Sequence, residues 1–198
     1  MRIGLMGGTF DPIHFGHLFI AEEARVRCGL EEVIFFPNNK PAHREGKSAH
    51  ADPETRFALT QLGIQTNPHF RISRIEIDRP GPSYAYDTLR QFQAELGESV
   101  ELFYIVGADS INDILTWYRA EELFDLCRFI ATTRPDFDLA EAKRELSPHQ
   151  LERVDFLETI GLDIASRDLR RRVREGLTIR YLTPDVVEHE VRRRGLYK

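Results

Sequence analysis

A short apolar-leaning run, Arg2-Ile3-Gly4-Leu5-Met6, passes without a break into Gly7-Gly8-Thr9-Phe10-Asp11-Pro12-Ile13-His14-Phe15-Gly16-His17. Leu18, Ile20, Ala21, Ala24 and Val26 then recur at helical spacing up to Cys28-Gly29. The order reads as strand, glycine loop, helix. A chain that opens this way needs a sheet to receive its first strand and a second layer to bury its first helix.

The remainder supplies both. Glu32-Val33-Ile34-Phe35-Phe36 reads as a second buried strand, followed by a long polar loop containing Pro37, Asn38, Asn39, Pro41 and Gly46. Asp52-Pro53 has the form of an N-cap with proline at the first helical position, and Phe57, Leu59, Leu62 and Ile64 supply its apolar stripe. The alternation in Phe70-Arg71-Ile72 and Ile75-Glu76-Ile77 predicts a half-exposed strand before the turn Arg79-Pro80-Gly81-Pro82, and Ser83 is placed to cap a helix through Leu96. Leu102 to Val106, Phe129 to Ala131 and Val154 to Leu157 are further strands; Ser166 or Asp168 opens a helix, and Thr183-Pro184-Asp185 opens the last. Alternation of this kind predicts an α/β fold: a Rossmann-like, doubly wound, mainly parallel sheet with helices on both faces and right-handed crossovers. No repeat or linker divides the chain, so residues 1–198 are expected to form a single domain, with two helices at about 164–198.

Composition narrows the function classes. The 198 residues carry 27 basic and 32 acidic side chains, a net charge of −5, and 41% are hydrophobic, enough for a sizeable core. No apolar run approaches the roughly 18 residues needed to span a bilayer, and no basic segment leads into a signal core. A cytoplasmic protein without membrane partners is expected. Cys28 and Cys127 lie far apart, which suggests neither a disulfide framework nor a cysteine metal site. Residues 166–198 carry ten basic and five acidic side chains, leaving −10 for the rest. That acidic balance argues against nucleic acid as a partner but is compatible with a compact phosphorylated ligand.

In open sheets, ligands sit beyond the carboxyl ends of the strands where strand order reverses, which makes the Gly7 to His17 loop the leading site. Gly7 and Gly8 allow close approach of backbone to a ligand, and a helix starting near His14 aims free N–H groups and its positive end at the same place. His14 and His17, three apart, share a helix face, with Gly16 leaving the entry open. Phosphate is the natural occupant. Zinc would need a third ligand, and the loop is neither a Walker A nor a G-x-G-x-x-G fingerprint.

The form G-G-T-F-D-P-x-H-x-G-H resembles the signature of the nucleotidyltransferase superfamily. Within it, the chain is similar over its full length to bacterial nicotinate-nucleotide adenylyltransferases. The matching stretches include Pro37-Asn38-Asn39 with His43-Arg44, Ser83-Tyr84 with Asp87-Thr88, Gly107-Ala108-Asp109-Ser110, Trp117-Tyr118, Arg134-Pro135, Ile164 to Arg170 and Gly195-Leu196-Tyr197. The resemblance implies adenylyl transfer from ATP to nicotinate mononucleotide. ATP and that mononucleotide are then the partners, Mg²⁺ arrives with ATP, and no metal is bound by the protein itself. A homo-oligomer is compatible with it.

It also implies roles. His14, His17 and Arg170 would be catalytic, with His17 stabilising transition-state charge. Gly7, Gly8, Thr9, Phe10, Gly107, Asp109, Arg134 and Ser166 would hold ATP. His43, Arg44, Ala85, Thr88, Trp117 and Tyr118 would hold the mononucleotide, its pyridine ring stacking on Trp117 and its carboxylate received by main-chain N–H groups near residues 85 and 118. Read alone, several of these have structural alternatives: Asp109 as a helix N-cap near Ser110, Arg134 as a surface arginine before a turn, Trp117 as core. The chain departs from the family pattern at Ala85, where threonine is usual, and at Ala165 and Arg167, where serine and threonine are usual. The alternatives to the leading activity are a phosphopantetheine adenylyltransferase, which shares the first loop, and a non-catalytic nucleotide-binding module.

Overall fold

The computed structural model describes residues 1–40, 49–97, 99–107, 110–111, 113–133 and 139–198. Six strands form one sheet: β1 (Arg2–Gly8), β2 (Glu32–Pro37), β3 (Phe70–Ile72), β4 (Glu101–Gly107), β5 (Arg128–Thr133) and β6 (Val154–Glu158). Their order is β3-β2-β1-β4-β5-β6 and every pairing is parallel. The chain winds outward from β1 to β3, returns to the middle at β4 and winds outward again, so the order reverses between β1 and β4. Among the described residues the helices are α1 (Phe15–Arg27), α2 (Pro53–Ile64), α3 (Ala85–Leu96), α4 (Ala120–Leu126), α5 (Leu139–Arg144), α6 (Pro148–Glu152), α7 (Ser166–Arg174) and α8 (Asp185–Arg193). The expected Rossmann-like, doubly wound sheet is what forms.

Both sheet faces are covered, as parallel sheets require. One apolar cluster joins Leu5, Ile34, Phe36, Tyr104 and Phe129 to Leu89 and Phe92 of α3 and Leu123 and Phe124 of α4. On the other face Met6, Val33, Phe35, Phe103 and Ile130 pack on Ala21 and Ala24 of α1, Leu59 of α2, Leu169 of α7 and Val187 and Val191 of α8. Adjacent residues of each central strand thus serve opposite clusters, which is why β2 and β4 read as unbroken apolar runs.

Asp52 caps α2 as expected: its side chain accepts from the Thr55 N–H at 2.9 Å, with Pro53 at the first helical position. Other local expectations are corrected. The alternating pattern at 70–77 continues as a strand only through Ile72; the Asp78 N–H reaches back to the Arg74 carbonyl, and Ile75 and Glu76 are buried together in a turn. Ser83 does not cap α3. The N-cap is Tyr84, with no side-chain cap bond, and the Ser83 hydroxyl accepts from the Asn39 N–H at 3.3 Å instead. The α2 stripe holds at Leu59 and Ile64, with Leu62 packed against the same core, and also takes in Arg56, Thr60 and Gly63. Phe57 lies only half buried, beneath the Arg74 guanidinium. Val26 of α1 is exposed.

Candidate active site

The strand-order reversal between β1 and β4 leaves a crevice at their carboxyl ends, and a pocket of about 400 Å³ opens there. Gly7 and Gly8 line it from β1, Thr9 from the loop that follows, Ile105, Val106 and Gly107 from β4, and His17 and Ile20 from α1. Its far wall is built by Ser83, Tyr84 and Ala85 at the start of α3 and by Thr116, Trp117 and Tyr118. One end is therefore glycine and imidazole, the other aromatic.

Small residues are required at the glycine end. A methyl group on Gly7 would fall 2.5 Å from the Phe36 ring, and one on Gly8 would fall 2.9 Å from the Phe10 ring. Gly16 plays a similar part for His14, whose ring would sit 3.0 Å from a Cβ there. Phe10 has positive φ and a buried side chain packed edge-on against His17 with centroids 5.1 Å apart, so only its backbone faces a ligand.

His14 is the N-cap of α1, and its ring stacks on that of His17 with centroids 3.6 Å apart. The His14 backbone N–H donates to His17 Nδ1 at 3.3 Å. This bond fixes the neutral tautomer: Nδ1 is the acceptor, so Nε2 carries the hydrogen and is the donor. Burial lowers the pKa of His14 to about 4, and burial followed by the neighbouring His14 pulls His17 well below its ordinary value. Both imidazoles are neutral at pH 7. His14 Nδ1 is buried with no partner among the described residues.

The loop bearing these histidines is braced from three directions. Buried Asp11 accepts from the His50 N–H (2.7 Å), the Ala51 N–H (3.2 Å) and the Tyr197 hydroxyl (2.8 Å). Arg170 donates to the Asp11 carbonyl at 2.6 Å, and the Ser166 hydroxyl donates to the Pro12 carbonyl at 2.8 Å. Thus α7, whose Ser166 and Arg170 the resemblance assigns to ATP and to catalysis, spends one hydroxyl and one guanidinium nitrogen on the loop itself, while Arg170 Nε is buried with no partner among the described residues. Arg167, which replaces a family threonine, points into solvent.

Arg56, unremarked in the sequence, is 1% exposed and joins the two loops over the pocket. It donates to the carbonyls of Thr9 (2.8 Å), Asn38 (2.7 Å), Asn39 (3.4 Å) and Ala51 (3.1 Å), and to the Asn38 side chain at 3.3 Å. The one available signal was its register: Arg56 precedes Leu59, Thr60 and Gly63 by three, four and seven residues, on the buried side of α2.

At the aromatic end, Tyr118 packs on Tyr84 (4.9 Å) and Tyr86 (6.2 Å), and Trp117 meets Tyr104 edge-on at 6.1 Å. Thr88 does not line the pocket: it is fully buried one layer behind, donating to Glu76 Oε1 at 2.7 Å and accepting from Arg79 at 2.7 Å. Its expected contact with substrate is therefore corrected to support of Glu76, which does line the pocket. His43, Arg44, Asp109 and Arg134 lie outside the described residues.

A glycine-lined pocket at the strand-order reversal of a parallel sheet, with two neutral imidazoles beside it, is the ligand site of a doubly wound α/β protein. The Cytidylyltransferase-like family model matches residues 5–172. The chain is 45% identical to a Moorella thermoacetica protein described as "Probable nicotinate-nucleotide adenylyltransferase", over all of this chain and 92% of that one, and 43% identical to a protein of the same description from Acidothermus cellulolyticus, over all of this chain and 94% of that one. In fold it is similar to Plasmodium falciparum nicotinic acid mononucleotide adenylyltransferase complexed with NaAD, with a TM-score of 0.81 over 99% of this chain and 97% of that one at 19% identity. The chain belongs to the cytidylyltransferase-like family and, within it, to the nicotinate-nucleotide adenylyltransferases.

Proposed function

We propose that the protein transfers the adenylyl group of ATP to nicotinate mononucleotide, giving nicotinate adenine dinucleotide and pyrophosphate, a step of NAD biosynthesis. A phosphate oxygen of the mononucleotide forms the new bond to the α-phosphorus in line with the breaking bond to the bridging oxygen, and pyrophosphate leaves with that electron pair. No covalent enzyme intermediate is needed, so the protein's contribution is positioning and charge stabilisation.

The observation that carries this reading is the neutral, stacked histidine pair beside the glycine loop. His17 offers Nε2–H as a donor, and as pyrophosphate departs the negative charge raises the proton affinity of both rings, so their bonds to phosphate strengthen most in the transition state. His14 completes the cradle at the positive end of α1, with Gly7, Gly8 and the Thr9 and Phe10 backbone against the nucleotide. Arg170 and Ser166 hold the loop in register and bring the start of α7 to the triphosphate. Asp109 and Gly107 receive the adenosine ribose, Arg134 borders the nucleotide, and His43 and Arg44 meet the mononucleotide phosphate. The pyridine ring lies on Trp117, its carboxylate received by main-chain N–H groups at Ala85 and Tyr118.

Among the described residues no cluster of three or more His, Cys, Asp or Glu could cage a metal, and the Asp11 carboxylate is already occupied by N–H and O–H donors. These residues fit Mg²⁺ as an ion held by the triphosphate and water, where it neutralises phosphate charge when bound. Among the described residues no helix is long and apolar enough to cross a membrane; the reading places the enzyme in the cytoplasm, acting on small soluble substrates. The test is pyrophosphate release with ATP and, in turn, nicotinate mononucleotide, nicotinamide mononucleotide and phosphopantetheine. The reading requires strongest turnover on the first; strongest turnover on phosphopantetheine, or ATP binding without product, overturns it.

A further inference from the structure

Tyr104 is the one residue of β4 whose polar group reaches the pocket floor. The side chain is 7% exposed, enclosed by Phe36 (5.9 Å), Phe129 (5.8 Å) and Trp117 (6.1 Å, edge-on), and it lines the cavity. Its hydroxyl lies 2.8 Å from where a Cβ on Gly7 would stand, so it emerges where β1 gives way to the glycine loop. Packing explains the ring but not the oxygen, because phenylalanine would fill the same space.

The hydroxyl makes no hydrogen bond to any described residue. The nearest acceptor of consequence, Glu76, is committed elsewhere: Thr88 donates to it at 2.7 Å, Ser83 donates to it, and Arg79 stands 3.9 Å away as its counter-ion. Burial raises the pKa of Tyr104 and the charge of Glu76 raises it further, so the hydroxyl keeps its hydrogen. The hydroxyl opens onto the cavity, where a ligand or water can take its hydrogen. The cavity onto which that hydrogen opens is the one that Trp117 also lines.

We propose that the Tyr104 hydroxyl is a specificity-determining contact, donating its hydrogen to the ring-borne carboxylate of the acceptor mononucleotide. The inference rests on the reading of the acceptor given above. A hydrogen bond to an ionised acceptor is about twice as strong as one to a neutral amide, so this donor favours the acid over the carboxamide. It acts together with the main-chain N–H groups, which any substitution short of proline leaves in place, and is the part of the discrimination that a single side chain carries.

The test is Tyr104→Phe, assayed at saturating ATP with nicotinate and nicotinamide mononucleotides in parallel. The expected result is a loss of about tenfold in kcat/KM on the acid, less than a twofold change on the amide, and an unchanged KM for ATP. Equal losses on both acceptors, or no loss on either, overturn the proposal. Titration of each protein with the acid alone, followed through Trp117 fluorescence, checks the same ratio at equilibrium: a Kd raised in step with the kinetic loss supports the contact, and an unchanged Kd overturns it. Inactivity of the unsubstituted enzyme on the acid would instead remove the assigned acceptor, a separate outcome.

Discussion

Acid should destabilise this enzyme through its histidine pair before it protonates most carboxylates. His14 titrates at about 4 in the folded protein against 6.5 when free, because burial disfavours the imidazolium. Between those values the unfolded chain binds a proton that the folded chain does not, so stability rises with pH across the window and is complete above 6.5. Each pH unit inside the window is worth about 1.4 kcal/mol, so going from about pH 7.5 to about pH 5 removes roughly 2 kcal/mol on account of His14 alone. His17, also pulled down by burial, adds to the loss in the same direction.

The histidine contribution is isolated by a difference. Urea unfolding of the wild type and of His14→Asn, followed across this range, gives a stability gap at each pH. The gap should shift by roughly 2 kcal/mol against the wild type on acidification, because the asparagine protein lacks that titration. A gap constant to within a few tenths of a kcal/mol would show that His14 titrates alike in both states and would refute the neutral-pair argument.

His17→Ala should lower kcat by about 100-fold while raising the KM for ATP far less, since its donor matters most as charge develops; a change confined to KM would place it in ground-state binding. Tyr197→Phe removes the hydroxyl from buried Asp11 and should cost about 1–2 kcal/mol in urea unfolding, with a several-fold fall in kcat from a looser loop; an unchanged kcat would separate the chain's end from the site. Asp52→Ala deletes the α2 cap and should cost about 1 kcal/mol, again by urea unfolding, with kcat preserved. Arg56→Met leaves four carbonyl acceptors without their donor and should cost upwards of about 3 kcal/mol, seen as a depressed Tm.

How far the sequence discloses this fold depends on the range over which each signal acts. The apolar runs at β1, β2 and β4 are long enough that no other element accommodates them, and the Asp52-Pro53 cap is a contact within four residues. The run at 70–77 fails because alternation reports side-chain periodicity and not pairing: Ser73 N–H still bonds to the Phe35 carbonyl, but β2 ends at Pro37 and leaves the next residues no partner strand. Ser83 fails as a cap because a tertiary donor, the Asn39 N–H, takes its hydroxyl.

The site divides along the same line. The loop histidines are legible because their function is local, with three residues and one helix turn placing one ring on the other. Asp11, Arg56, Arg170 and Tyr197 are not legible as a group, because their contacts span 47, 159 and 186 positions from Arg56 to Thr9, Arg170 to Asp11 and Tyr197 to Asp11. The division has a physical reason. A phosphate cradle needs neutral imidazoles with a free donor at its mouth, and groups left free cannot hold the loop in place. The restraint therefore comes from behind, through buried charge and hydroxyls belonging to α2, α7 and the chain's last turn. The same logic places a bare hydroxyl on Tyr104: in a site braced from outside, the unspent donors are the ones that face the substrate.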